Sequence, residues 1–199
     1  TNSGTMANYD FMEILRNFTS ANKDIHLNKI SERNDITTIK DGYYFNGKKL
    51  AGELDNNDLK IINLFKKSNN IYFTYKYNKD YYNLKIDSSN VSYNIKDKIN
   101  IKLDIKADID TAGENIKTAN INVVEKLNKH TAQSIEHDLN NLLNRLKKDK
   151  SDILGINNYI YKIYGNYNPT NPDNCKYVNQ KIWGSKVPNL NVSKDGSCK

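Results

Sequence analysis

The sequence predicts an α+β fold in which an antiparallel strand meander is covered by a long amphipathic helix, with a smaller N-terminal helix and hairpin portion. Three observations carry this expectation. From Ile71 to Ile109 apolar residues recur at every second position, the period of a half-buried strand. From Val124 to Leu146 they recur at steps of three and four, the stripe of a helix that buries one face. Between Tyr43 and Gly52, Asn46-Gly47 separates two strand-like runs, and both residue types tolerate the positive φ of a tight hairpin.

Taken in order, the elements begin after Asp10, a candidate N-cap, where Phe11, Ile14, Leu15 and Phe18 follow a helical spacing. Ile25, Leu27 and Lys29 alternate as a strand, Ile36 to Ile39 suggest another, and the hairpin follows. Asp55 then precedes Leu59, Ile62 and Phe65, with Leu54 placed as a hydrophobic staple, so a helix is expected that ends at Ser68-Asn69-Asn70. A break between two portions is expected near Asn69.

The meander is read as four strands. Its apolar runs are Ile71, Phe73, Tyr75 and Tyr77; Tyr82, Leu84 and Ile86; Val91, Tyr93 and Ile95; and Ile99 through Ile109, with polar turns between them. Beyond Gly113, Asn122 and Glu125 suggest a capping box for a helix whose stripe is Val124, Leu127, Thr131, Ile135, Leu139, Leu142 and Leu146. At about 1.5 Å per residue its length is roughly 35–40 Å, enough to lie across a sheet. A further helical pattern, Ile153, Leu154, Ile156, Tyr159, Ile160 and Ile163, follows Ser151-Asp152. A Pro- and Asn-rich loop covers residues 165–174, and Ile182, Trp183, Val187, Pro188 and Leu190 close the pattern.

At 199 residues the chain can bury a core of its own, and 14 Tyr, 5 Phe and many Ile supply bulky material although only 37% of residues are hydrophobic. The mean hydropathy of −0.80 describes a very polar surface. Lys, Asn, Ile and Tyr dominate, as AT-rich coding alone would produce, so the lysines are weak pointers to function. The net charge of +7 comes from 30 basic and 23 acidic residues mixed along the chain, the pattern of a solvated surface rather than a basic block. Cys175 and Cys198 lack zinc-site or Cys-x-x-Cys spacing, which leaves a terminal disulfide open. No run approaches the roughly 20 apolar residues of a membrane helix, and the front lacks an apolar signal-peptide core, so a soluble chain is expected. Thr1-Asn2-Ser3-Gly4-Thr5 has the small polar look of a cloning scar, which is compatible with a targeting segment ahead of it.

Catalysis requires a nucleophile or acid–base pair held by neighbours. The chain contains no Gly-rich phosphate loop, Gly-x-Ser-x-Gly or His-Glu-x-x-His motif and no zinc-type cluster. His130 and His137 stand seven apart, about 10 Å along a helix and too far for one ion, so both are expected on the solvated face. His26 stands alone. Asp104, Asp108 and Asp110 could supply a glycosidase pair, but they alternate with Lys as ordinary wet-face residues. The run Tyr72-Phe73-Thr74-Tyr75-Lys76-Tyr77 has the composition of a single-strand stacking platform, and core-plus-surface alternation explains it more simply. No catalytic, cofactor-binding or metal-binding residue is assigned, and ligand-binding residues stay unknown. The residues alone describe a non-catalytic α+β binding or assembly module. An anionic-polymer or single-stranded nucleic-acid binder is the alternative, and an unrecognised hydrolase ranks after it.

The hairpin run Phe45-Asn46-Gly47-Lys48-Lys49-Leu50-Ala51-Gly52-Glu53-Leu54 resembles a pattern of the Ger(x)C family, the C subunits of spore germinant receptors. The succession that follows is similar to that family's C-terminal domain: a helix after Leu54, the meander ending in alternating Ile and Lys, the long helix, then Lys150-Ser151-Asp152-Ile153-Leu154-Gly155 and Tyr159-Ile160-Tyr161-Lys162. Trp183 followed by Val187-Pro188-Asn189-Leu190 is similar to its closing segment. The chain departs from the pattern at Asn157, where a second Gly is usual, in the Asn- and Pro-rich segment before Trp183, and in a final strand cut to Leu190-Asn191-Val192-Ser193.

The resemblance implies a non-catalytic lipoprotein of nutrient sensing in a sporulating bacterium. It would be held at the extracytoplasmic face of the spore inner membrane by a lipid anchor outside this chain, beside integral membrane subunits. No nucleic-acid partner and no cofactor are expected, and contact with a small-molecule germinant is left open. Matching positions are read as structural: Phe45 and Leu50 in hairpin packing, Gly52 at a tight approach, Asp152 as a helix cap, and Gly155, Trp183 and Pro188 as packing points. The domain organisation expected is a scar or disordered lead over residues 1–8, the end of a preceding domain or linker over 9–35, the Ger(x)C-like domain over 36–193, and a tail over 194–199.

Overall fold

The computed structural model describes residues 24–33, 36–68, 70–95, 99–157 and 159, with isolated helical positions at 12, 14 and 15. The described elements are β1 (His26–Arg33), β2 (Ile36–Asn46), β3 (Lys49–Leu54), α1 (Asn56–Phe65), β4 (Ile71–Tyr77), β5 (Asp80–Ile95), β6 (Ile99–Ala112) and α2 (Ile121–Asp149). Their strands form two three-stranded antiparallel sheets, ordered β1-β2-β3 and β4-β5-β6. The α+β class is as expected; the strand count is not.

In the first sheet, the run at Ile36 to Ile39 and the first arm of the hairpin are one continuous strand, β2. Gly42 allows the continuity, because a Cβ there would lie 2.8 Å from the Leu27 carbonyl oxygen of β1. The hairpin turn is also one residue later than Asn46-Gly47. Asn46 pairs with Lys49, so Gly47 and Lys48 form the turn, and Gly47 takes the positive φ of 57°. Asn46 instead donates its side-chain amide to the Asp149 carbonyl at 3.0 Å.

Helix α1 starts as the sequence suggests. The Asp55 carboxylate accepts from the Asp58 backbone N–H at 2.8 Å, and Asp58 accepts in return from Asp55 N–H at 2.9 Å, a closed capping box. Leu54 and Leu59, the staple pair on either side of it, are each 1% exposed. The helix touches β2 and β3 of one sheet, β4 and β5 of the other, and α2. That placement buries Ile61, Ile62 and Leu64 on several faces of the helix at once. The two sheets therefore share one core, in which Tyr44 and Leu54 join Ile71 and Phe73. The division expected near Asn69, a position outside the described residues, does not separate two cores.

In the second sheet the expected strands at Tyr82–Ile86 and Val91–Ile95 are a single 16-residue strand, β5. Ile86 pairs with Ala107 and Ser88 with Lys106, which leaves Asp87 as an extra residue. This bulge moves the inward face from positions 82, 84 and 86 to positions 89, 91 and 93. Ser89, buried by that shift, donates its hydroxyl to the Leu64 carbonyl of α1 at 2.7 Å. A change of phase in the sequence thus marks a bulge rather than a turn.

Helix α2 runs 29 residues, about 43 Å at ~1.5 Å per residue. Its N-cap is Asn120, whose side chain accepts from Asn122 N–H at 3.0 Å. The expected box from Asn122 to Glu125 is corrected accordingly: Asn122 is already helical and its N–H is the group being capped. Leu127 covers a small cluster with Tyr82, Leu84 and Ile116. Ile135, Leu139, Leu142 and Leu146 close the main core. Fully burying one Leu stabilises a fold by about 1.5–3 kcal/mol, and Leu142 and Leu146 are both 0% exposed. The helix ends at Lys150 with φ 54°, in the left-handed region. Ile153, Leu154 and Ile156 then extend the core. The remainder of the helical pattern after Tyr159, the 165–174 loop, Cys175, Ile182, Trp183, Val187, Pro188, Leu190 and Cys198 lie outside the described residues, as do Phe11 and Phe18.

Candidate functional site

The end of α2 brings together side chains from distant parts of the sequence in a polar junction beside the hairpin. Asp24, just ahead of β1, accepts from the hairpin N–H of Gly47 and from the N–H of Asp152, each at 2.7 Å. The Asp24 N–H donates back to the Asp152 carbonyl at 3.3 Å. Ser151 donates its hydroxyl to the Phe45 carbonyl at 2.6 Å, and Phe45 N–H bonds the Ile25 carbonyl at 3.1 Å. Asp152 in turn accepts from Ile156 N–H at 2.9 Å and Asn157 N–H at 2.8 Å, which caps the short helical segment that follows. Gly155 makes that cap reachable with its φ of 71°. Burial pushes the Asp24 carboxyl above its usual range, against the opposing pull of the N–H groups of Asp152 and Gly47.

A second arm of the junction runs along α2. Arg145 pairs with the buried Asp58 carboxylate of α1 and reaches the Glu53 carbonyl of β3 at 3.3 Å. Burial raises Asp58, and the guanidinium, which stays charged, offsets only part of that cost. Tyr44 donates its phenol to Asp149. Burial first, and Asp149 second, push the Tyr44 hydroxyl up to about 12. Four carboxylates, those of Asp24, Asp58, Asp149 and Asp152, are thus engaged by N–H groups, a guanidinium or a phenol. Those of Asp24, Asp58 and Asp149 tie α1, the end of α2 and the β2–β3 hairpin to one another, and that of Asp152 caps the segment that follows it.

A different cluster surrounds His130. Its Nδ1 lies 2.9 Å from the Tyr82 hydroxyl, which lies equally close to Thr131 Oγ1. The rings of Tyr75, Tyr77 and Tyr82 meet the imidazole edge-on at 6.2, 5.8 and 6.1 Å. His130 is therefore half-buried and bonded, which corrects the expectation of a solvated residue. His137 does face solvent, against the Asn141 amide at 3.0 Å. Isolated in the sequence, His26 is buried on β1. Among the described residues no three His, Cys, Asp or Glu side chains converge as metal ligands, and no helix is long and apolar enough to cross a membrane.

The residues singled out by their motif positions are distributed as follows. Phe45 is half-buried at the junction, while Leu50, its partner across the hairpin, is 61% exposed and adds little packing. Gly52 lies under the Tyr44 ring, where a Cβ would come within 2.6 Å of the phenol oxygen. Asp152 and Gly155 meet at the junction; Trp183 and Pro188 lie outside the described residues. Asp24, Tyr44, Asp58, Arg145 and Asp149 escaped the motif reading. One signal could have found Arg145: it is one of three arginines in a chain whose basic residues are otherwise lysines. A forked guanidinium is retained where two acceptors must be met at once. On the outer face of the second sheet, Lys102 and Lys106 alternate with Asp104 and Asp108, so that face mixes charge signs rather than offering a basic track.

Comparison with known proteins agrees with this architecture. The solved structure "Crystal Structure of the GerBC protein" superposes with a TM-score of 0.66 at 10% identity, covering 92% of this chain and 61% of that one. The chain thus spans about three fifths of the GerBC chain that it matches, and the likeness is one of fold. No curated protein matches. The family described as "Spore germination B3/ GerAC like, C-terminal" matches residues 40–195, well over half of the chain. The chain therefore belongs to that spore-germination family, the Ger(x)C family that its hairpin and helix order resemble, and carries its C-terminal domain.

Proposed function

We propose that the chain is the C-terminal domain of a nutrient germinant-receptor C subunit, a non-catalytic component that acts in spore germination by assembling with integral membrane subunits. The family match over residues 40–195 is the observation that carries this reading. The polar junction is in keeping with it, since its carboxylates are taken up by bonds that tie the hairpin, α1 and the end of α2 together. In the full-length protein a lipid anchor outside this chain would hold the domain at the extracytoplasmic face of the spore inner membrane. Spores lacking the gene are expected to lose their response to at least one nutrient germinant while still germinating with a non-nutrient trigger. Affinity purification of the tagged protein from spore membranes is expected to bring down the membrane subunits. An unchanged nutrient response in the deletion strain, across a full panel of nutrients, would overturn the proposal.

A further inference from the structure

We propose that Asn46-Gly47 is a latent modification site: bonds to Asp24 and to the end of α2 keep the Asn46 amide intact, and deamidation there, once those bonds open, keeps the hairpin from fastening to α2 again. Asn46-Gly47 is the one Asn-Gly pair in the sequence. Such a pair is especially prone to deamidation, because glycine has no side chain to obstruct attack by its backbone nitrogen on the preceding amide. Packing among the described residues does not protect it. Both residues are exposed, and a Cβ at Gly47 would meet nothing within 4 Å. Hydrogen bonds are what hold the reacting groups apart.

In the reaction the Gly47 nitrogen gives up its proton to solvent base and attacks Asn46 Cγ. The new N–Cγ bond closes a cyclic imide, the Cγ–Nδ2 bond breaks, and ammonia leaves with a proton returned from solvent. Water then opens the imide at either carbonyl, to aspartate or to isoaspartate. In sum, one amide and one water become a carboxylate and an ammonium ion. The Gly47 N–H donates to the Asp24 carboxylate at 2.7 Å, so the nucleophile is engaged and the adjacent negative charge opposes the anion that must form. The Asn46 amide donates to the Asp149 carbonyl at 3.0 Å, which pins the electrophile on the end of α2. Asn46 also pairs with Lys49 as the last residue of β2, and that pairing resists the rotation about its Cα–C bond that ring closure demands.

The products do not fit the place that the amide leaves. Aspartate at position 46 has no N–H to give, and it sets a carboxylate against the Asp149 carbonyl oxygen. Isoaspartate lengthens the backbone by one atom between β2 and the turn, which moves the Gly47 N–H off Asp24. Asp24 is also the acceptor for the Asp152 N–H, so loss of one bond loosens the attachment of the segment beyond α2 as well. Opening of the seam exposes Asn46 to the reaction, and the reaction prevents the seam from closing. The modified residue is therefore a one-way record of that opening.

Peptide mapping by mass spectrometry tests the proposal on the 199-residue chain, incubated at mildly alkaline pH both folded and unfolded in guanidinium chloride. Asn46 is expected to deamidate about tenfold or more slowly in the folded chain. The exposed Gly47 amide is expected to exchange its hydrogen more slowly than in the unfolded chain, because it is bonded to Asp24. Asp24→Ala should raise the folded-state deamidation rate by about fivefold or more. Asn46→Asp, which reproduces one product, should lower the urea midpoint by more than Lys48→Gln, which changes the charge of the same turn equally. Equal deamidation rates in the folded and unfolded chains, or an Asn46 that stays intact in both, overturn the proposal. So do a Gly47 amide that exchanges at the unfolded rate, a folded Asp24→Ala chain with an unchanged rate, and an Asn46→Asp chain no less stable than Lys48→Gln. If Asp24→Ala does not fold, the measurements that leave Asp24 in place decide the matter by themselves.

Discussion

Replacing Gly52 with Ala measures how tightly the hairpin is closed over Tyr44. A Cβ at position 52 would lie 2.6 Å from the Tyr44 hydroxyl oxygen and 2.7 Å from both Cε1 and Cζ. Carbon atoms settle at about 3.5–4.0 Å, so the ring must retreat by about 1 Å. It has little room to do so, being buried on the main core and tied through its hydroxyl to Asp149. Overpacking costs about 1–3 kcal/mol, and loss of the phenol hydrogen bond adds about 1 kcal/mol, so Gly52→Ala should destabilise the chain by about 2–4 kcal/mol. In urea, with a slope of about 1–3 kcal/mol per M, the midpoint falls by roughly 1–2 M. A double-mutant cycle isolates the cause. In a Tyr44→Leu background the collision is gone, and the same Gly52→Ala change should cost under about 1 kcal/mol. Gly47→Ala serves as the control, because it meets nothing within 4 Å and its cost arises from its φ of 57°. That cost, about 1–2 kcal/mol, should not depend on Tyr44. If Gly52→Ala and Tyr44→Leu add within about 0.5 kcal/mol, the close approach does not hold the hairpin.

Two further outcomes follow from the junction and the end of α2. Asp58 has a raised folded value, so its contribution to stability is fully present below its ordinary value near 3.8 and declines as pH rises through the raised one. The gap in urea midpoint between the wild type and Asp58→Asn should therefore shrink from pH 4 to pH 7; a gap that widens would mean that Arg145 outweighs burial. Lys150 holds a left-handed conformation that costs a non-Gly residue about 1–2 kcal/mol, so Lys150→Gly should stabilise the chain by roughly 0.5–1 kcal/mol after the glycine's extra chain entropy is deducted. An unchanged or lowered melting temperature for Lys150→Gly would refute it.

The elements governed by local rules were legible in the sequence. Asp55 announced α1 because a carboxylate ahead of an apolar run caps the first turn. The α2 stripe was readable because Leu127, Ile135, Leu139, Leu142 and Leu146 keep helical phase over nearly the whole helix. What was lost depended on distant partners. The polar stretch around Asp87 looks like a turn until Lys106 and Ala107 pair across it, and only then does it become a bulge. Asn120 and Asn122 are equal candidates for a cap by residue type, and the fold decides between them. His130 lies on a helix whose neighbours at 129 and 132 are exposed, and nothing local records the three tyrosines that β4 and β5 bring to it. The same holds for the polar junction, whose aspartates are individually unremarkable among 23 acidic residues.

The bond from Asp152 N–H to Asp24 joins residues 128 positions apart. Entropic cost grows only slowly with loop length, by about 0.6 kcal/mol per doubling, so such a seam is thermodynamically tolerable. Its kinetic effect is larger, because non-local contacts repay nothing until the intervening chain has been gathered in. During synthesis the hairpin turn at Gly47 emerges long before the Asp152 N–H with which it shares the Asp24 carboxylate. Asp24 can occupy half of its final site early and complete it only after all of α2 has been made. Closure of this seam is thereby coupled to arrival of the segment just beyond that helix, and a chain cut short before Asp152 would be left with the seam open.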